Sequence, residues 1–222
     1  MSYSSTLAGG ENFRLFAENL VIGRNGRMLT KSLSFVLAAG EALVVTGPNG
    51  AGKSTLLRTL AGLLPAMEGG ISVSGNGIEA GEPAGSCAHY LGHADAMKSA
   101  LTVRENLEFW SSMLGFGQGA SVEEALAAVE LPHVADFPFG YLSAGQKRRV
   151  GLAKLLVAHR PLWLLDEPTT ALDSAAQQRL AGIMRAHLSG GGVVIAATHS
   201  PLGLEDAREL RIEPRQAHGA AA

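Results

Sequence analysis

The chain has 222 residues, of which 46% are hydrophobic and 17% charged, so it is long enough to bury a core and is neither disordered nor low-complexity. A formal net charge of -2 gives no electrostatic reason to expect nucleic acid as the main partner. The single cysteine, Cys87, excludes an intrachain disulfide, a multi-cysteine metal cluster and a CxxCH haem attachment, and points to a reducing compartment.

In chain order, the first twelve residues are polar and rich in Gly and Ser, without the basic-then-apolar order of a signal peptide. Phe13–Ile22 and Leu33–Leu37 are expected strands, with a turn over Gly23–Arg27 between them. Glu41–Thr46 has the continuous apolar centre of a buried parallel strand. A Gly-rich loop follows, then a helix over Lys53–Gly62. Met67–Glu82 is turn-rich, with a short strand at Ile71–Ser74. The stretch from about Cys87 to His159 is expected to be mostly helical. Thr102 and Glu105 form a capping box that opens a helix to about Leu114, Ser121–Glu130 is a second helix, and Ser143 starts a third that reaches about His159. Strand–helix alternation then returns with Leu162–Asp166, Ser174–Leu188 and Val193–Thr198, and Glu209–Ile212 is a candidate last strand. The tail from Pro214 is expected to be mobile. No apolar run approaches the ~20 residues that span a bilayer, so the chain is expected to be soluble or held at a membrane by another protein.

Gly47-Pro48-Asn49-Gly50-Ala51-Gly52-Lys53-Ser54-Thr55 has the P-loop spacing and lies between an expected strand and an expected helix. Glycines let successive N–H groups turn inward onto phosphate oxygens, and the helix presents its positive end to the same anion. Lys53 is placed to reach the β- and γ-phosphates, and Ser54 to ligate Mg²⁺. Thr55 supports another phosphate. Leu162–Asp166 is an apolar strand that ends in two acids. It delivers Asp166 to the sheet edge, where it can hold Mg²⁺ through water, and Glu167 points elsewhere and can polarise an attacking water.

Leu142-Ser143-Ala144-Gly145-Gln146 resembles the signature of ABC ATPases and stands where that family has it, shortly before the acidic strand. With the P-loop, Asp166, Glu167, Asp173 and His199, the resemblance covers the chain from about Phe13 to Ile212. It implies an α/β P-loop fold: a mostly parallel core sheet flanked by helices, an N-terminal antiparallel β part and an inserted helical subdomain. The core then spans about 13–86 and 160–212, the helical part about 87–159, and 214–222 is the tail. Ser143 is a good N-cap, Gly145 keeps the backbone accessible, and a helix N-terminus with a free hydroxyl is an anion site. The resemblance implies that two copies face head-to-tail, with Ser143, Gly145 and Gln146 of one covering the γ-phosphate held by the other. It gives His199, after an apolar strand, the role of a γ-phosphate contact. His133, His159, His187 and His218 are expected to be structural or solvated.

Two positions depart from the general ABC pattern. His93, in Tyr90-Leu91-Gly92-His93, stands where a glutamine that touches Mg²⁺ and water is usual; it is either a replacement with pH-dependent charge or an ordinary loop histidine. The early turn lacks the usual aromatic platform for adenine, and Arg24 either stacks its guanidinium on the base or is a solvated turn residue. The Gly92-His93 segment and the short chain resemble the ATPase subunits of cytochrome c maturation haem exporters. This resemblance implies ATP and Mg²⁺ as cofactors, integral membrane subunits as partners, and a peripheral location on the cytoplasmic face of the bacterial inner membrane. Haem is not expected to bind this chain. The other readings are the ATPase of a different exporter, whose substrate is chosen by its membrane subunit, and a soluble ABC mechanoprotein, which the absence of a basic arm or long insertion disfavours. A P-loop kinase explains neither Leu142–Gln146 nor Asp173.

Overall fold

The computed structural model describes residues 12–213 except 76, 80 and 115–118. The expected mobile tail lies outside these residues, as does His218. Strand β1 (Arg14–Val21) pairs antiparallel with β4 (Leu33–Ala38) and β6 (Glu68–Ser74), which is longer than the expected Ile71–Ser74. Between β1 and β4, the two-residue strands β2 (Gly23–Arg24) and β3 (Arg27–Met28) form a hairpin. Its turn places Asn25 at φ 51 and Gly26 at φ 74, the paired left-handed geometry that Asn-Gly adopts at low cost and that matches strand twist.

The second sheet is parallel, with the strand order β10 (Arg208–Arg211), β5 (Ala42–Thr46), β9 (Val193–Ala197), β8 (Leu162–Asp166), β7 (Ala88–Leu91). Strand β7 falls inside the stretch expected to be helical, and pairs with β8 through Ala88–Leu162 to Leu91–Leu165. Four residues with His and Tyr among them carry too short an apolar pattern to announce a strand, and the pairing with β8 decides it.

Every residue of β8 and of β9 is buried, because this sheet is covered on both faces. Alternation divides their side chains between two cores. Leu162, Leu164, Val193, Ile195 and Ala197 join the core shared with the antiparallel sheet and α1 (Lys53–Leu60). Trp163, Leu165, Val194 and Ala196 join the core under α2 (Val103–Leu114), α3 (Val122–Ala128), α4 (Ala144–Val157) and α5 (Ser174–Ser189). All four of these helices start on a side-chain cap, three of them on Ser121 with Glu124, Ser143 with Gln146, and Asp173, whose carboxylate accepts from the Ala176 N–H at 2.8 Å. The fourth, α2, begins with the expected Thr102–Glu105 box: the Glu105 N–H donates to the Thr102 hydroxyl at 3.1 Å and the Thr102 N–H to the Glu105 carboxylate at 2.7 Å.

At the opposite end of the sheet from the acidic strand end, His187 stacks on Trp163 with ring centroids 3.8 Å apart, and His89 is bonded through Nε2 to the Ala158 carbonyl at 2.7 Å. Burial depresses both imidazoles, His89 to about 3 and His187 to about 4, from an ordinary value of 6.5. Below pH 6.5 the unfolded chain therefore takes up protons that the folded chain refuses. Stability measured by urea unfolding is expected to decline as pH falls from about 6.5 towards 4, by up to about 1.4 kcal/mol per pH unit for each histidine inside the window. His187→Phe, which keeps the stack on Trp163, should flatten that slope; an unchanged slope would show that His187 does not contribute to it.

Candidate active site

The loop from Gly47 to Gly52 leaves the end of β5 and enters α1, and glycine is required at both of its ends. Gly47 has φ 136, and a Cβ there would meet the Ile212 carbonyl oxygen at 2.3 Å; Gly52, the residue before α1, has φ 110. Among the described residues, the N–H groups of Gly50, Gly52, Lys53 and Ser54 donate to no protein acceptor. A turn of inward-facing donors at a helix N-terminus is an anion cradle, so the loop fits a polyphosphate.

Lys53 is buried, and its Nζ donates to the carbonyls of Gly47 at 2.8 Å and Pro48 at 3.2 Å. The same ammonium lies 3.0 Å from His199 Nε2. An ammonium only donates, so this ring nitrogen is its acceptor. The Asn49 amide oxygen lies 3.1 Å from that nitrogen, and the Glu167 carboxylate 3.9 Å from it. Asn49, Lys53 and Glu167, singled out from two separate sequence segments, thus gather around the imidazole of His199, the first two within hydrogen-bonding distance and Glu167 at 3.9 Å.

Asp166, 1% exposed, closes β8 with the face orientation of Leu162 and Leu164, and so it faces α1. Its Oδ1 accepts from the Ser54 hydroxyl at 2.9 Å. Its Oδ2 lies 3.4 Å from the Tyr90 hydroxyl, which in turn accepts from Arg58 Nε at 3.2 Å. Burial raises the Tyr90 pKa, with the Arg58 bond opposing it, and the hydroxyl stays protonated. Among the described residues no cluster of three or more His, Cys, Asp or Glu side chains could hold a metal. One hydroxyl beside one carboxylate, next to a phosphate cradle, suits a hard divalent cation that keeps most of its waters and takes phosphate oxygens as further ligands.

Glu167 follows Asp166 in a left-handed conformation, φ 46, with its N–H bonded to the Ala197 carbonyl at 2.8 Å. A non-glycine residue held there is uncommon and strained by about 1 kcal/mol or more, a feature that clusters at functional sites. The turn sends its carboxylate towards His199 and away from the sheet.

Other expected residues lie apart from this cluster. Among the described residues no hydrogen bond joins Ser143, Gly145 or Gln146 to the phosphate loop; Ser143 is exposed, and Gly145 stands so close to Ala171 that a Cβ would lie 3.0 Å from its carbonyl oxygen. Asp173 is exposed and caps α5. His93 is exposed just beyond β7. Arg24 is on the rim of an open cleft of about 410 Å³ that also touches Thr55, Arg58, Leu64 and Met67, next to the start of α1. The cleft's apolar side chains and the guanidinium suit a planar heterocycle.

Two residues of the site had no role assigned from sequence. Tyr90 opens the Tyr90–His93 segment of the resemblance, but nothing in the sequence gives its hydroxyl a partner. Arg148, 5% exposed, reads in sequence as part of the basic run Lys147-Arg148-Arg149, yet it shares its helical face with Leu152 and Leu155, and that register is the signal that it is buried.

Residues 30–170 match the family described as ABC transporter. The chain is 56% identical over 199 residues to the cytochrome c biogenesis ATP-binding export protein CcmA of Mesorhizobium japonicum, covering 90% of this chain and 98% of that one. It is 54% identical to the protein of the same name in Chelativorans sp., with the same coverage. Among solved structures, a bacterial Atm1-family ABC exporter with ATP bound superposes at TM-score 0.75 and 27% identity, over 91% of this chain and 37% of that one. A putative ABC transporter ATP-binding protein from Pyrococcus furiosus shares the fold at TM-score 0.73 and 24% identity, over 90% and 97% of the two chains. The P-loop, the Asp166–Glu167 strand end and the likeness over nearly the whole length agree: the chain belongs to the ABC transporter ATPases, among the cytochrome c biogenesis ATP-binding export proteins.

Proposed function

We propose that this ABC ATPase works as an ATP-dependent head-to-tail pair that powers integral membrane subunits, exporting haem for the assembly of c-type cytochromes. The observation that carries the reading is the meeting of Lys53, Ser54, Asp166, Glu167 and His199 at the ends of β5, β8 and β9, in a chain 56% identical to a cytochrome c biogenesis export protein. No helix among the described residues is long and apolar enough to cross a membrane. The chain is therefore assigned a peripheral place on the cytoplasmic face of the inner membrane, held there by its partner subunits. Haem is carried by those subunits and not by this chain.

In this reading the amides of Gly50–Ser54 bind the phosphates, and Lys53 turns from the Gly47 and Pro48 carbonyls towards the β- and γ-oxygens. The Ser54 hydroxyl and, through water, the Asp166 carboxylate hold Mg²⁺, which neutralises phosphate charge. Glu167 polarises the attacking water, and His199 donates to the γ-phosphate. Ser143, Gly145 and Gln146, apart from their own chain's phosphate loop, cover the nucleotide of the second copy; Asp173 completes that interface. His93 occupies the position of the usual glutamine, and Arg24 stacks on adenine in the cleft beside Thr55.

Glu167→Gln is expected to bind Mg²⁺–ATP with affinity near that of the wild type and to lower kcat by about 10²-fold or more. Light scattering should then show an ATP-trapped dimer, whereas retained hydrolysis would remove Glu167 from the water-polarising role. His93→Ala is expected to leave nucleotide affinity within about threefold and to lower kcat about tenfold, with His93→Gln restoring turnover. Equal kcat in all three proteins would return His93 to an ordinary loop position. Purification of the chain from its membrane should bring down integral subunits; a drug or lipid exporter in place of a haem exporter would overturn the cytochrome c assignment.

A further inference from the structure

Arg148 sits on α4, whose first turn carries the signature residues, and it is nearly out of solvent at 5% exposure. All five N–H groups of its guanidinium find acceptors. Nη2 donates to the carbonyls of Asp166 at 3.0 Å and Glu167 at 2.8 Å, and Nε to that of Pro168 at 3.3 Å. Nη1 donates to the Gly92 carbonyl at 2.7 Å and the Asp95 carboxylate at 3.2 Å. One rigid fork therefore grips three consecutive carbonyls at the end of the acidic strand, and with its other edge the segment that follows β7.

Both gripped segments are backbone that needs holding. Glu167 is at φ 46 and Ala171 at φ 63, and the 92–95 segment runs into Ala96 at φ 55. Among the described residues, the side chains bonded to that segment come from the helical side. Besides Arg148, the Trp110 indole donates to the Ala96 carbonyl at 3.1 Å, and the Asn106 amide binds the Lys98 carbonyl at 3.0 Å and the Thr102 carbonyl at 2.9 Å. A rigid-body movement of α4 cannot leave the Glu167 carbonyl or Gly92 behind without breaking charge-assisted bonds inside the protein, where unmade bonds are costly.

We infer that Arg148 is a positioning residue for hydrolysis: it locks the backbone of Glu167 to the signature helix and to Gly92–Asp95, so that displacement of either is delivered to the Glu167 carboxylate. The inference rests on Glu167 acting on the attacking water as proposed above. It assigns the route by which the segment beside His93 and the helix of Ser143 reach that residue. The phosphate cradle lies outside the grip of Arg148, so nucleotide binding and turnover should separate.

The test compares Arg148→Lys and Arg148→Ala with the wild type in the full-length chain, with its co-purified membrane partner. Affinity for a fluorescent ATP analogue with Mg²⁺ is expected to stay within about threefold, and KM likewise, while kcat falls about tenfold or more in both variants. Amide hydrogen exchange should speed up together at 92–95 and 167–172 and remain unchanged in α1. Turnover within twofold of the wild type in a folded variant overturns the inference, as does an equal loss of kcat and nucleotide affinity, the pattern of a merely structural residue. Should the alanine variant not fold, the lysine variant decides. Should neither fold, exchange in the wild type decides: adding Mg²⁺ and the ATP analogue must alter the two segments together, and a change in one alone rejects the coupling. Loss of turnover in Glu167→Gln with wild-type kcat in Arg148→Lys would sink this inference and leave the role of Glu167 standing; retained turnover in Glu167→Gln would instead remove the premise.

Discussion

The structure depends on the register of β8 between its two parallel neighbours. Leu162 to Asp166 are paired with Val193 to Ala197 on one side, and Leu162 to Leu165 with Ala88 to Leu91 on the other. Because successive side chains alternate, Leu162 and Leu164 fill one core while Trp163 and Leu165 fill the other. A slip by one residue would push all four to the wrong face, so the register is fixed by burial on both sides. The same alternation aims Asp166 at α1 and Ser54. The acid is placed by the hydrophobic packing beneath it.

From that placement the rest of the site follows in sequence. Strands β5, β8 and β9 end side by side at the carboxyl edge of a parallel sheet, where the backbone leaves regular pairing and can turn towards a ligand. The phosphate loop uses the left-handed freedom of Gly47 and Gly52 to make its turn, and Glu167 uses a strained left-handed turn to leave the plane of the sheet. His199, exposed just beyond β9, comes to within 3.0 Å of the Lys53 ammonium, although the two are far apart in the chain. The signature helix is different: among the described residues its start makes no hydrogen bond to the phosphate loop, and the helix is tied instead, through Arg148, to the carbonyls at the acidic strand end. In a single copy one buried cation thus joins the start of this helix to the strand end that carries Asp166 and Glu167.

Much of this was legible in the sequence because local chemistry was sufficient. The P-loop spacing, the capping box of Thr102–Glu105, the N-cap Ser143, and the uninterrupted apolar run of β8 each specify their own conformation within a few residues. Strand β7 was not legible in its own residue pattern and was implied only by the resemblance that sets His93 at a strand end, since four residues become a strand only when β8 lies beside them. Arg148 was given no role from sequence, because nothing nearby in the chain announces that Gly92, Asp95 and three carbonyls of another segment will surround it. Tyr90 acquires its hydroxyl partners in the same way, from α1 and β8.

By itself the sequence singled out the groups proposed to handle phosphate and metal, because a glycine-rich turn, a lysine and a strand-end acid owe their chemistry to residue type and short spacing. Only the tertiary structure decided which of them meet: that Lys53 rests on His199, that Asp166 faces Ser54, and that Arg148 joins the signature helix to Glu167. Those contacts join segments distant in the chain, and such contacts exist only once two hydrophobic cores have closed on the two faces of the sheet.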